Sequence, residues 1–267
     1  MQVDYKKIIG IPREEKGTLV LDFLGVNFLN TFEITELFVW LLQFPFFEER
    51  YEIRNPTDVV SYLHRINFFV HLENKKNLHP SFPRHSLEGK NNWLIELQVY
   101  RYKNGFYGDY EKICLLLKNI GVSRENISLI ASSLGEVVDN AFTHNLGKWN
   151  HEIGPLGILL SQTFHKKREL CFSFCDLGIG FLETLKSNYP TLSSQGESIA
   201  LAIQPNITGR PQRQGGNGLD YLKKNVFNGF RGDLYIRSGD TLYSVREEVS
   251  QRTPFLSGVN IFFTLFY

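Results

Sequence analysis

Three polar residues recur at helical spacing in the middle of the chain. Glu136, Asn140 and His144 stand four residues apart, beside apolar positions that begin at Leu134. At about 100° per residue the three fall on one stripe of a helix. A carboxylate in such a stripe can accept a proton, and an amide oxygen can bind a hard cation such as magnesium. A solvated helix face with incidental polar residues is the alternative interpretation.

A DxGxG segment follows an apparent strand further along the chain. It consists of Asp176, Gly178 and Gly180, with Leu177 and Ile179 between them. The glycines permit a ligand to approach the backbone closely, and the aspartate can accept a hydrogen bond from an exocyclic amine. A plain turn between a strand and a loop is an equally simple interpretation.

A second glycine-rich segment opens a helix. It contains Gly215, Gly216, Gly218 and Leu219 around Asn217. Backbone N–H groups at such a helix start can bind phosphate, although a flexible linker has the same composition. Neither a GxxxxGK[ST] P-loop nor a Rossmann GxGxxG after a first strand is present.

The order of these three segments resembles that of the GHKL ATPase superfamily. The pattern is ExxxN with a histidine four residues later, then DxGxG, then a glycine-rich loop opening a helix, then a terminal strand. The likeness is strongest to the small serine-kinase anti-sigma factors, whose corresponding helix also carries Glu, Asn and His at this spacing. The resemblance covers residues 123–267, about half of the chain.

The resemblance implies ATP and Mg²⁺ as ligands and assigns roles to individual residues. By this likeness Glu136 is the general base, acting on a water or on a substrate hydroxyl, and Asn140 is the magnesium ligand. Asp176 resembles the aspartate that binds the adenine amine, with Gly178 and Gly180 shaping the adenine pocket.

The remaining residues of the implied site lie around the phosphates. Gly215, Gly216 and Gly218 look like the phosphate-cradling loop, and His144 and Leu219 belong to the same nucleotide site.

The segment from Thr191 onward looks like the family's ATP lid. Arg210 and Arg213 lie in it and either reach the γ-phosphate or are solvated. The family's last strand usually follows a Gly-Thr pair, whereas this chain has Gly258 and Val259 there. The sequence leaves open whether Thr264, later in the same strand, faces the pocket.

The pattern of elements in this half predicts a two-layer α/β sandwich of the Bergerat type, with a mixed sheet and helices on one face. We expect helices over residues 111–120, 123–145, 181–186 and 219–226, strands over 157–164, 169–176, 233–237, 241–246 and 259–267, and a long polar loop over 191–217. A basic turn, residues 165–168, joins the first two of these strands.

The N-terminal half predicts a small α/β unit. A strand over 18–23 is followed by a capping box of Asn30 and Glu33 that starts a helix, and Pro56 marks a second helix start. The stretch from Leu19 to Phe32 resembles the strand-loop-helix start of STAS domains, the anti-sigma-factor antagonist fold. In those proteins the helix start often carries a phosphorylatable Ser or Thr, near the place of Thr31 here.

A composition shift separates the two halves. Residues 73–92 are rich in Asn, Lys, His and Pro and predict a linker. We therefore expect a STAS-like domain over residues 1–100, including a strand over 93–100, and a GHKL ATP-binding domain over residues 108–267.

The bulk composition narrows the class of protein. Apolar residues make up 42% and charged residues 21%, and the net charge is +1, which gives no basic excess for a nucleic-acid partner. No apolar run is long enough to span a bilayer or to act as a signal. These features predict a cytoplasmic protein without a membrane or nucleic-acid partner. Cys171 and Cys175 are predicted to be buried small side chains rather than metal ligands.

Three functions remain open from the sequence. The first is an ATP-binding regulator that phosphorylates a protein partner or binds it in a nucleotide-dependent way. The second is an ATP-hydrolysing switch that drives homodimerisation or partner release, a class that includes defence-linked and toxin-linked ATPases. The third is a non-catalytic interaction module that senses nucleotide.

Overall fold

The computed structural model describes residues 5–16, 18–43, 50–76, 79–80, 94–144, 155–209 and 216–267. The chain divides into two compact units, Met1–Asn91 and Asn92–Tyr267. Together they combine helices and sheets, as expected for an α/β protein. Within the described residues, no helix has both the length and the apolar character needed to cross a membrane.

The first unit contains a small sheet, and helices lie between its strands along the chain. Its elements are α1 (Tyr5–Gly10), β1 (Pro12–Glu15), β2 (Thr18–Asp22), α2 (Thr31–Gln43), β3 (Arg50–Arg54), α3 (Asp58–Arg65), α4 (Phe68–Lys76) and the two-residue β4 (His79–Pro80). The sheet order is β1-β2-β3-β4. β1 is antiparallel to β2, while β2, β3 and β4 run parallel.

The predicted capping box is confirmed at the start of α2. The backbone N–H of Glu33 donates to Oδ1 of Asn30, and the backbone N–H of Asn30 donates to Oε2 of Glu33, both over 2.9 Å. These two bonds satisfy donors that a helix start leaves without an intrahelical partner. Thr31, the first residue of α2, is completely buried.

Other expectations for this unit need correction. The sequence predicted one strand, but β1 and β3 flank β2 in the sheet. Pro56 is not the first helical residue, because Thr57 is the N-cap of α3. The apolar positions that follow Pro56 and extend to residue 69 do not form one helix, because they are divided between α3 and α4. Asn67, between the two helices, has a φ of 62°, a left-handed conformation that interrupts a helix.

The second unit contains a five-stranded sheet and five helices in its described part. The elements are β5 (Leu94–Tyr100), α5 (Lys103–Asn119), α6 (Arg124–His144), β6 (Gly157–Phe164), β7 (Glu169–Asp176), α7 (Gly180–Leu185), α8 (Gln195–Ala202), α9 (Gly218–Lys224), β8 (Leu234–Ser244) and β9 (Val249–Phe266). A 3₁₀ turn, His165–Lys167, joins β6 to β7, and a π turn, Asn225–Gly229, extends α9.

The sheet of this unit is antiparallel, which corrects the expected mixed sheet. Its order is β5-β6-β7-β9-β8, and all four neighbouring pairs run antiparallel. β6 with β7, and β8 with β9, are joined by short turns, which connect antiparallel strands. Helices and one face of the sheet share a core that includes Leu134 and Val138 of α6, Phe172 and Phe174 of β7, and Ile261 and Phe263 of β9.

β5 belongs to the second unit rather than to the first, where the sequence placed it. It pairs with β6, with Tyr100 opposite Gly157. α5 then begins at Lys103, eight residues before the predicted start, and ends at Asn119, one residue before the predicted end. There the N–H of Gly121 donates to Lys118 O and the N–H of Val122 to Leu117 O, each over 3.0 Å, which is a Schellman ending.

Two further predictions in this unit differ from the structure. The segment predicted as a loop over residues 191–217 contains α8, whose N-cap Ser194 accepts a hydrogen bond from the N–H of Glu197. The two strands predicted over 233–246 are one strand, β8, with an irregular register around Gly239. The long helix at α6 and the strands β6 and β7 lie where the sequence predicted them. Cys171 and Cys175 are buried free thiols, as expected.

Candidate functional site

Helix α6 brings two of its predicted polar residues to one cleft of the second unit. Asn140 is half-buried and lines this cleft, while Glu136, one turn earlier, is exposed beside it. The apolar stripe of α6 holds both in place, because Leu134 and Val138 are completely buried in the core. The side chain of His144, at the end of α6, lies outside what the structure describes.

The end of β7 supplies a buried carboxylate. Asp176 is only 6% exposed, and its Oδ1 accepts a hydrogen bond of 2.8 Å from the N–H of Gly178. This bond folds the chain into a tight turn directly after the strand. Gly180 ends the turn with a φ of +78°. Asp176 and Gly180 line the cleft, whereas Gly178 holds the carboxylate from within the turn.

The described part of the second glycine-rich segment closes against two other elements. Gly216 has a φ of +94°, and a Cβ there would overlap the backbone of Ile207. Gly218 begins α9, and a Cβ there would lie 2.8 Å from Cβ of Glu136. Both positions therefore require glycine. Gly215, Arg210 and Arg213 lie outside the described residues.

These segments surround one cleft that is partly open to solvent. Of the residues predicted from the sequence, the cleft is lined by Asn140, Asp176, Gly180, Gly216, Gly218 and Leu219. The structure thus brings together residues from three segments that are far apart in sequence. Glu136 reaches the cleft only through its contact with Gly218.

Sequence reasoning missed most of the apolar wall of the cleft. The wall is made of Val137, Ala141, Phe174, Phe181, Leu185, Ala202, Ile207, Val259 and Ile261. These residues are ordinary core side chains in sequence, and only the register of β7 against β9 places Phe174 opposite Ile261. Thr184, Thr208 and Gly209 complete the lining.

The Gly258–Val259 pair also contributes to the cleft. Gly258 has a φ of +85°, and a Cβ there would overlap the carbonyl of Asp176. β9 can therefore approach the end of β7 closely, and Val259 takes its place in the cleft wall. Thr264 is absent from this lining. Its Oγ1 accepts a 3.0 Å hydrogen bond from the N–H of Asp233 and fixes the start of β8.

The segment after α8 is fixed by hydrogen bonds between side chains and backbone and by one close backbone contact. Asn188 donates to Thr208 O over 2.9 Å, and the N–H of Asn206 donates to Oδ1 of Asn217 over 2.9 Å. A Cβ on Gly209 would lie 2.6 Å from the carbonyl of Thr184. The segment after α8 is therefore held to α7 on one side and to the start of α9 on the other.

An ion pair joins α5 to α6 at Asp139, about one turn after Glu136. Nζ of Lys103 is 2.5 Å from Oδ1 of Asp139, and Tyr107 donates to the same oxygen over 3.3 Å. The hydrogen bond to Asp139 raises the pKa of Lys103. Lys103 therefore stays charged at neutral pH, and its charge is neutralised by Asp139 rather than by Glu136.

The cleft fits an adenine nucleotide by the chemistry of its lining. Apolar side chains cover most of the wall, as in pockets for planar aromatic ligands. A buried carboxylate can accept a hydrogen bond from an exocyclic amine. Gly216 and Gly218 present backbone rather than side chains to the cleft, and backbone N–H groups can bind phosphate oxygens.

The amide oxygen of Asn140, which lines the cleft, could hold a magnesium ion there. Among the residues that the structure describes, no group of three His, Cys, Asp or Glu side chains converges as a metal site would require. Such an ion would take its other ligands from nucleotide phosphates and water, which is the usual arrangement for Mg²⁺.

No protein-family model matches the chain, and a search of curated proteins returned no significant match.

Proposed function

We propose that the second unit binds ATP with Mg²⁺ through a site of the GHKL type. We further propose that the chain uses this site to regulate a protein partner, by phosphorylating it or by binding it in a nucleotide-dependent way. The observation that carries the proposal is the convergence of Asn140, Asp176 and Gly218 on one largely apolar cleft. Residues without a shared function would not be expected to converge on one largely apolar cleft.

The roles of the residues follow from their positions. The carboxylate of Asp176 accepts a hydrogen bond from the adenine amine at the buried end of the cleft. Asn140 holds magnesium through its amide oxygen, near the glycines of the phosphate side. Bound magnesium would neutralise phosphate charge and make the terminal phosphoryl group easier to transfer.

Glu136 acts as the general base in this proposal. Its side chain contacts Gly218 at the edge of the cleft, and it is exposed to solvent. A hydroxyl group of another protein can therefore reach it. The carboxylate can take the proton of that hydroxyl as the hydroxyl oxygen bonds to the γ-phosphorus and the bond between the γ-phosphorus and ADP breaks, so that ADP leaves. Water can reach the same carboxylate, so ATP hydrolysis by a conformational switch is the second candidate function.

The first unit supports a role in regulation through a STAS-like fold. Its edge strand β1 is antiparallel and the other three strands are parallel, with α2 connecting β2 to β3, which is compatible with that fold. Thr31 is completely buried, so a kinase could modify it only after the start of α2 had opened.

Titration calorimetry of the full chain with ATP and Mg²⁺ tests the binding proposal. We expect saturable binding to one site per chain. Stabilisation against heat should accompany it, by ~2.7 kcal/mol at about 100 times the dissociation constant. Absence of both effects would show that the cleft does not bind ATP.

The Glu136→Gln variant separates binding from chemistry. With γ-labelled ATP, we expect it to retain ATP binding while losing phosphate release and label transfer to protein. Label appearing on a partner protein with the wild-type chain identifies a kinase, and release of free phosphate alone identifies the hydrolytic switch. Binding with neither activity identifies a nucleotide-sensing module.

A further inference from the structure

A serine on β8 connects two walls of the cleft. Ser238 is completely buried, and its register partner on β9 is Val259, which lines the cleft. Its Oγ accepts a 3.0 Å hydrogen bond from the N–H of Phe181 at the start of α7. The same hydroxyl donates over 2.9 Å to Oε1 of Gln195, the first residue of α8. One side chain therefore bridges the starts of two helices.

The side chains of this bridge pack tightly against two glycines. A Cβ on Gly180 would lie 2.8 Å from Oγ of Ser238, and a Cβ on Gly239 would lie 2.7 Å from Nε2 of Gln195. Both glycines have positive φ, +78° and +57°. The two glycines therefore shape a slot into which the serine and the glutamine fit.

Each end of the bridge leads to residues that line the cleft. On one side, Phe181 and Gly180 belong to the turn that begins at Asp176. On the other side, Gln195 begins α8, whose last residue, Ala202, lines the opposite wall. A displacement of α8 would therefore act on the turn through Ser238.

We propose that Ser238 and Gln195 are positioning residues for recognition of the nucleotide base. They hold the turn from Asp176 to Phe181 in one arrangement with α8, so that discrimination between bases at Asp176 depends on the position of α8. This inference rests on the proposed nucleotide site. Neither residue lines the cleft itself, so both act through the turn and through α8.

The first test needs no nucleotide. Hydrogen exchange of the full chain is compared for wild type, Gln195→Ala and Gln204→Ala. Gln204 lies just after α8 and donates to the carbonyl of Ala200 on its own helix, so it is the matched control. We expect faster exchange in α8 and at the amide of Phe181 for Gln195→Ala alone. Unchanged exchange in that variant would overturn the proposed connection.

The second test measures base discrimination. We expect Gln195→Ala and Ser238→Ala to lower the ratio of the dissociation constants for GTP and ATP by about threefold to tenfold, the effect of losing one hydrogen bond. Gln195→Glu keeps the acceptor oxygen for Ser238 and should retain most of the wild-type ratio. Equal weakening for both nucleotides would indicate a merely structural role and would overturn the proposal.

The two tests separate this inference from the proposed function. If the wild-type chain binds neither nucleotide, the proposed nucleotide site is wrong, and base positioning is overturned with it. Hydrogen exchange would still decide whether the contact between Ser238 and Gln195 holds α8 to the turn.

Discussion

The backbone of Gly218 lies against the side chain of Glu136. A Cβ on residue 218 would be 2.8 Å from Cβ of Glu136 and 3.0 Å from one of its carboxylate oxygens. Gly218 lines the cleft, whereas Glu136 stands at its edge. The contact therefore limits where the carboxylate of Glu136 can lie at the edge of the cleft, and the glycine is needed for that placement.

Replacing Gly218 by alanine should displace Glu136. Because a misplacement of about 1 Å can lower a rate by on the order of 10²-fold, we expect a loss of that size in phosphate release or transfer. Activity is measured with γ-labelled ATP at saturating nucleotide. Gly135→Ala is the matched control, since a Cβ there meets nothing within 4 Å and alanine favours a helix. Equal activity of the Gly218→Ala variant and wild type would contradict the assignment.

Asp176→Asn tests the recognition of the base. Asparagine keeps the oxygen that accepts the N–H of Gly178, so the turn should persist. It replaces the other carboxylate oxygen by an amide donor, which repels the amine of adenine. We expect ATP affinity to fall about tenfold or more, as measured by calorimetry. Asp240→Asn, at a half-buried aspartate that is not part of the cleft lining, is the control, and unchanged affinity in Asp176→Asn would place the base elsewhere.

Asn140→Ala tests the magnesium role. ATP affinity is measured with Mg²⁺ and with a chelator, for the variant and for wild type. We expect the gain in affinity that Mg²⁺ gives to be smaller in the variant by about tenfold, because one oxygen ligand is lost. Asn126→Ala, in the first turn of the same helix, should retain the full gain. A gain equal to that of wild type would show that Asn140 is not a ligand.

The buried hydroxyl of Tyr100 should make the stability of the second unit depend on pH in the alkaline range. Its hydroxyl donates to Asp109 over 2.8 Å, and burial, followed by this hydrogen bond, raises its pKa well above the usual value. An unfolded tyrosine ionises near pH ~10. Above that pH the unfolded chain binds fewer protons than the folded chain, so the stabilisation present below pH ~10 is lost as pH rises.

Removing this hydroxyl should therefore flatten the pH dependence. The free energy of unfolding is measured by urea denaturation at about pH 9 and about pH 11. We expect a smaller decrease for Tyr100→Phe than for wild type. Tyr102→Phe alters an exposed hydroxyl and should keep the wild-type decrease. If the free energy of unfolding decreased equally in the Tyr100→Phe and Tyr102→Phe variants, the buried hydroxyl of Tyr100 would not be the source of the pH dependence.

The site was predictable where short spacing carries the signal. Asn140 and Asp176 were found because a helical period and a DxGxG pattern are local features. The wall formed by Phe174 and Ile261 was not, because their proximity depends on pairing between β7 and β9. Ser238 was missed for the same reason, since its partners lie in α7 and α8.

The fold was predictable to a similar depth. The capping box of Asn30 and the hairpin of β6 and β7 are local, and the structure has both where the sequence predicted them. The direction of the strands was not predictable, because it depends on which strands pair. α8 was missed because its residues carry only a weak apolar stripe, with Ile199 as its fully buried member. Whether the two units are of the GHKL and STAS types remains a prediction.

The position of β9 in the sheet has a consequence for synthesis on the ribosome. β9 lies between β7 and β8, and in the described sheet β8 is joined only to β9. A nascent chain that has emerged through β8 therefore has Asp176 and Ser238 but no strand to bring them together. The two walls of the cleft can come together only when Gly258 and the residues after it have left the exit tunnel. A translation product that stops before Gly258 would carry the helix of Glu136 and both glycine-rich segments and still lack the part of the cleft wall that Val259 and Ile261 form.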